Sequence, residues 1–147
     1  MAKFGFGNFI NATLGNFSER TIEELTEKYG AYLFEEEEIT MGYKLVRDSL
    51  IFTNARIIFI DKQGATGKKT SFKSIYLSSI VDVEMETAGF GVDDSEITIT
   101  YLKNVHRRAH TEYFETKMFE FPKSTDIVPL YTMLGSIVLD NRQEINQ

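Results

Sequence analysis

Hydrophobic positions change their period twice along the chain. Ile22, Leu25 and Tyr29 recur at helical spacing, Thr21 and Glu24 fit a capping box, and Gly30 closes the segment, so Thr21–Tyr29 reads as a short helix. From Thr40 the period falls to about two, with β-branched and aromatic residues between turn residues. Seven strands follow, read as Thr40–Arg47, Ser49–Thr53, Arg56–Asp61, Lys69–Leu77, Ile80–Thr87, Ser95–Leu102 and Glu112–Phe121. Asn54 and Ala55 suit a tight reversal, and Gln63–Gly67 supplies two glycines for the next turn. The helical period then returns. Ile127, Leu130, Tyr131, Leu134, Ile137 and Val138 form one stripe, Asp126 is a good N-cap, and Pro129 falls in the first turn, where its missing N–H does no harm.

This order predicts a mostly β fold: a seven-stranded antiparallel half-open barrel whose open end is plugged by the C-terminal helix, with a short N-terminal helix before it. At 147 residues, 42% of them hydrophobic, the chain is read as one domain over residues 19–142, with an N-terminal extension over 1–18 and a short tail over 143–147. The absence of cysteine removes disulfides, thiolate metal sites and cysteine nucleophiles, and fits a reducing compartment. Phe4–Ser18 is the longest uncharged run and is too short and too polar to cross a bilayer, so a cytoplasmic location is expected.

Charge changes the picture more than composition does. Eight acids face two bases between Glu19 and Glu38, seven bases face two acids between Lys44 and Lys73, and six acids stand without a base between Asp82 and Glu96. Each block alone fits the solvated face of a sheet. Together they also fit a head-to-tail contact between copies, which needs two unlike patches on each protomer. The net charge of −6 argues against a general nucleic-acid binder.

One run of residues resembles a known family. Tyr43-Lys44, Arg47-Asp48, Phe52-Thr53, Arg56-Ile57-Ile58, Asp61-Lys62-Gln63-Gly64, Thr66-Gly67-Lys68-Lys69 and Ser74-Ile75, followed by Glu86-Thr87-Ala88-Gly89, are similar to the bacterial pleckstrin-homology (PH) domain family of small single-domain proteins. The chain departs from that pattern at Tyr76, where the family has proline, and at Val92, within an expected acidic pair. The resemblance implies a PH-like barrel that assembles into a closed homo-oligomeric ring, a pentamer on this reading. It also implies a polar surface between adjacent protomers that binds another protein, and no enzymatic activity. The residues it points to are Tyr43, Lys44, Arg47, Asp48, Arg56, Lys68, Lys69, Glu86 and Thr87. Arg47 with Asp48, and Arg56, suit strand register or the subunit contact; Lys44, Lys68 and Lys69 suit an acidic partner.

Other chemistries find little footing. Gly64–Thr70 has two residues between its glycines where a phosphate loop needs four, and strand character follows it, so no nucleotide cofactor is expected. His106 and His110 are the only histidines; Arg107 replaces the glutamate of a zinc-protease motif, so they are read as an exposed loop and no metal is expected. No serine sits in Gly-x-Ser-x-Gly, and Glu84 and Glu86 share a strand face as solvated residues do. Lipid binding is the alternative function. Phe6, Ile10, Leu14 and Phe17 make a helical stripe for a membrane surface, but Gly5, Gly7 and Gly15 oppose helix there, and the Arg47-Asp48-Ser49 junction is short and carries an acid.

Overall fold

The computed structural model describes residues 22–63, 69–88 and 94–147, apart from the side chains of Lys62 and Gln63. Thr21 of the expected capping box, the N-terminal stripe, Gly64–Lys68 and Val92 lie outside the described residues. The described residues fall into two compact units, divided in the chain between Tyr76 and Leu77.

The first unit is a helix, α1 (Ile22–Tyr29), a 3-10 turn (Gly30–Tyr32) and an antiparallel sheet of β1 (Ile39–Lys44), β2 (Ser49–Thr53), β3 (Arg56–Gln63) and β4 (Lys69–Tyr76), in that spatial order. β1 stops at Lys44 and not Arg47, because the chain turns back at once: the Leu45 amide donates to the Asp48 carbonyl at 2.9 Å, and Lys44 already pairs with Ser49. In β2 and β3 the expected alternation gives way to continuous burial from Leu50 to Thr53 and from Arg56 to Ile60. Strands that read as unbroken apolar runs are those covered on both faces. One cover is α1, whose Leu25 and Tyr29 cluster with Ile39, Ile51, Ile58 and Ile60. An isolated eight-residue helix is marginal in water, so this contact holds it, at roughly 1.5–3 kcal/mol for each buried side chain.

The approach is close. A Cβ on Gly42 would lie 2.4 Å from Leu25 Cδ1, which explains a glycine inside β1. Met41, Tyr43, Leu50, Phe52, Ile57 and Ile75 occupy the opposite face and are also buried.

The second unit holds a 3-10 turn (Leu77–Ser79), the antiparallel sheet β5 (Ile80–Glu86), β6 (Ser95–Leu102) and β7 (Phe114–Phe121), and a helix, α2 (Val128–Ile145). Here the alternation holds: Ser95, Ile97, Ile99 and Tyr101 are buried, while Glu96, Thr98 and Thr100 between them are half-buried. Helix α2 packs on β5 through a stripe that includes Leu130, Leu134, Ile137 and Val138, together with Met133 and Asn141. Asp126 accepts the Val128 amide at 3.1 Å, and Pro129 sits in the first turn as expected. The helix runs past Arg142 to Ile145.

The seven antiparallel strands in two sheets and the two helices are those of the PH-like fold. No helix among the described residues is long and apolar enough to cross a membrane.

Candidate functional site

The first unit is knotted around Arg56. Its Nε donates to Glu37 Oε2 at 2.8 Å and its Nη2 to Oε1 at 3.0 Å, a bidentate pair with both residues buried. Nη1 reaches Ser74 Oγ on β4 at 2.6 Å, Nη2 also reaches the Tyr32 carbonyl at 3.0 Å, and the guanidinium lies 3.7 Å over the Phe34 ring. Glu37 accepts further bonds from the Phe34 amide at 2.8 Å and the Thr53 hydroxyl at 2.6 Å. Burial alone would raise this carboxyl; the hydrogen bonds from Arg56, Phe34 and Thr53, with the Arg56 charge, outweigh it and hold Glu37 at a pKa of about 2. Asn54 ties the same segment down, donating to the Glu36 carbonyl at 3.2 Å and accepting the Glu38 amide at 3.0 Å. The arginine therefore fixes the segment between α1 and β1 to three strands of the sheet.

Above this knot lies an aromatic shelf. Tyr32, Phe34, Phe72 and Tyr76 are each exposed. Tyr32 stacks on Phe72 with centroids 4.4 Å apart, and Tyr29 meets Phe72 edge-on at 6.5 Å. Phe72, Ser74 and Tyr76 share one face of β4 by the period of two, and β4 is the last strand of its sheet.

The residues singled out by the family resemblance separate into two groups. Tyr43 is buried, edge-on to Phe52, and Arg56 is buried in its ion pair. Lys44, Arg47, Lys69, Glu86 and Thr87 are exposed, Asp48 is half-buried in the β1–β2 turn, and Lys68 lies outside the described residues. Arg47 tops that turn, while Lys69 begins β4.

The sheet of the second unit gathers carboxylates in a row. The register places Glu86 opposite Glu96 and Glu96 opposite Glu120, three carboxylates in one row across β5, β6 and β7. Glu84, Thr98 and Met118 form the adjacent row. Like charges directly opposite on neighbouring strands destabilise a sheet. Partial desolvation, then Glu86 and Glu120, push the Glu96 carboxyl above its ordinary value.

The loop read as exposed histidines has another occupation. His106 and His110 are exposed, but Arg107 donates to the Ser78 carbonyl at 3.0 Å and to Glu144 Oε1 at 2.9 Å. Arg108 donates to the carbonyls of Ile145 at 2.6 Å, Glu144 at 3.1 Å and Gln147. Arg108 thus covers the last carbonyls of α2, where the helix dipole favours cations, while Arg107 ties the Glu144 side chain to the turn at Ser78. Sequence reasoning missed this, and it also missed Asn141, whose amide donates to the Leu77 and Ile80 carbonyls at 2.8 Å each. The only signal was a polar residue continuing the apolar stripe at Val138 plus three. Elsewhere in the sheet the Tyr101 hydroxyl donates to Glu115, and burial together with that carboxylate pushes the phenol up. Among the described residues no three His, Cys, Asp or Glu side chains gather as a metal site.

A family model described as "Bacterial PH domain" matches residues 8–138. The chain is 45% identical over 91 residues to the Bacillus subtilis (strain 168) protein described as "Uncharacterized protein YjqA", covering 62% of this chain and 73% of that one. Among solved structures it is similar to the pleckstrin homology domain from Shewanella amazonensis SB2B, at 34% identity and a TM-score of 0.62, covering 88% of this chain and 98% of that one. A second, a DUF1696 family protein with a pleckstrin-homology domain from Shewanella loihica PV-4, matches at 31% identity and a TM-score of 0.61, covering 84% and 97%.

Proposed function

The chain belongs to the bacterial PH domain family, and on that footing we propose that it is a non-enzymatic binding module whose copies close into a ring and hold a protein partner on a polar surface between neighbours. The observation that carries this reading is the carboxylate row Glu86–Glu96–Glu120. Three like charges side by side are a cost, and among the described residues no cation is paired with them. Cations supplied from outside remove that cost, and the same chain carries exposed ones on its other unit, at Lys44, Arg47 and Lys69.

Division of labour follows from position. On this reading Arg47, at the tip of the β1–β2 turn, meets the carboxylate row of the next copy, and Asp48 beside it, whose carbonyl accepts the Leu45 amide, supports that turn. Tyr43 and Arg56 act inside the copy, holding the sheet that presents the turn. Lys44 and Lys69 serve the partner, with Lys68; Glu86 and Thr87 end β5 at the carboxylate row. Unlike patches on one protomer give a heterologous contact, and a heterologous contact closes into a ring when its rotation divides the circle. Light scattering on the purified chain tests the assembly: a multiple of the 16.9 kDa protomer is expected, and a monomer at micromolar concentration removes the ring.

A further inference from the structure

We propose that the aromatic shelf of the first unit is the seat of an N-terminal segment of the same copy, with Phe9, Ile10, Leu14 and Phe17 laid over its rings. This goes beyond the binding-module reading and stands without it, since a shelf taken by its own chain is not the surface that a partner reads. Among the described residues the four rings stand exposed, Tyr32 at 53%, Phe34 at 54%, Phe72 at 36% and Tyr76 at 49%. The 4.4 Å stack of Tyr32 on Phe72 and the Arg56 guanidinium 3.7 Å over Phe34 fix the surface before anything lies on it. Clustered exposed rings mark a contact surface.

Three observations name the occupant. The first is charge. The face of β4 that carries Phe72 and Tyr76 also carries Thr70 and Ser74, and the guanidinium that reaches it, Arg56, is already held by Glu37. A charged guest would lose hydration there for little return, so the seat suits an uncharged apolar segment. The second is composition. From Phe4 to Ser18 a chain that is otherwise 26% charged carries no charge at all, and it offers Phe9, Ile10, Leu14 and Phe17. These residues lie outside the described ones, and the family model that matches from residue 8 takes them into the same domain as the shelf. The third is reach. Phe17 stands five positions before Ile22, where α1 begins, and five extended residues span roughly 17 Å. The eight residues of α1 cover about 12 Å on the way to Tyr32, which follows the helix by three positions. A segment tethered at that range acts at an effective concentration on the order of millimolar, so even a weak contact is occupied.

The chain has no tryptophan and no cysteine, so single introduced probes report without background. Tyr76→Trp places an indole on the shelf, and Asn11→Cys carries a nitroxide in the segment, both in the full chain. The indole is expected to emit to the blue of a solvated one, to quench slowly with acrylamide, and to lose most of its emission to the nitroxide. Changing Phe9, Ile10, Leu14 and Phe17 together to serine is expected to shift the emission to the red, speed acrylamide quenching several-fold and restore the intensity, while the thermal melt stays cooperative. An indole that these changes leave untouched overturns the proposal, and so does a nitroxide that quenches no more than the free radical at the same concentration. Dilution of the doubly labelled chain into a large excess of wild type is expected to leave the quenching as it was. Recovery of emission on dilution would give the shelf to a second copy and overturn the proposal. Quenching that is absent in buffer, with the nitroxide immobilised only when phosphatidylserine vesicles are added, would give the segment to a membrane and overturn it too.

Discussion

Arg56 grips Glu37 across nineteen positions of sequence, with Nε on Oε2 at 2.8 Å and Nη2 on Oε1 at 3.0 Å, both groups withdrawn from water. A buried pair gives modest net stability against an apolar replacement, but breaking it leaves a naked charge. Arg56→Ala and Glu37→Ala are therefore each expected to cost about 3–5 kcal/mol in urea unfolding. The double variant is expected to cost clearly less than the sum, because each single change already removes the shared interaction. Additive losses would show that the two residues act separately.

The same pair sets a pH dependence. Glu37 is held at a pKa of about 2, below its ordinary 4.5, so its contribution is fully present above pH 4.5 and is lost as pH falls through 2. Glu96 has the opposite sign: its raised pKa contributes stability at low pH, which disappears as the pH rises through the folded value. Thermal melts from pH 7 to pH 2 are expected to show a steep acid loss in the wild type that Glu37→Gln flattens, whereas Glu96→Gln raises the melting temperature at neutral pH in the isolated protomer. An unchanged acid limb in Glu37→Gln would contradict the assignment.

Gly42 is the point where helix α1 touches the sheet. Gly42→Ala brings a methyl group against Leu25 Cδ1, and since Leu25 is buried it must shift among Ile51 and Ile58; a loss of about 1–3 kcal/mol is expected from overpacking. Denaturant midpoints of Gly42→Ala and Gly42→Val measure it, with the valine worse.

Glu36 makes the converse case. Its φ of 62° lies in the left-handed region, next to the residue that Arg56 holds. Its side chain is exposed, so Glu36→Gly relieves the backbone without removing packing and is expected to stabilise by about 0.5–1 kcal/mol, read in the same unfolding series.

At the far end of the chain, Arg108→Ala uncovers the carbonyls of Glu144 and Ile145 in the last turn of α2 and of Gln147 just after it, and is expected to cost about 1 kcal/mol. Amide exchange should quicken in the last turn of α2, while β6 and β7 keep their protection. A uniform change would mean that the loop acts on the whole unit.

Element order was legible because each element carries its own period. The stripe from Ile127 to Val138 could only be a helix, and the alternation from Ser95 to Leu102 could only be a half-buried strand. The cover over β2 and β3 was not legible: an unbroken run such as Arg56-Ile57-Ile58-Phe59-Ile60 says that both faces are buried but not by what. The acidic block was visible, yet the row Glu86–Glu96–Glu120 depends on strand register, which a block count does not contain. Arg56 could be singled out by resemblance, whereas its partner Glu37 was one of four consecutive glutamates, and only the turn through Asn54 selects it.

A head-to-tail contact between copies, in which unlike charges meet, is open to a charge swap read by sedimentation velocity. Wild type is expected to run as a multiple of the protomer, Arg47→Glu and Glu86→Lys each as a smaller species, and the double swap as the full assembly again, because it restores unlike charge across the same contact. A monomeric wild type, or single swaps that leave the size untouched, would rule out such a contact.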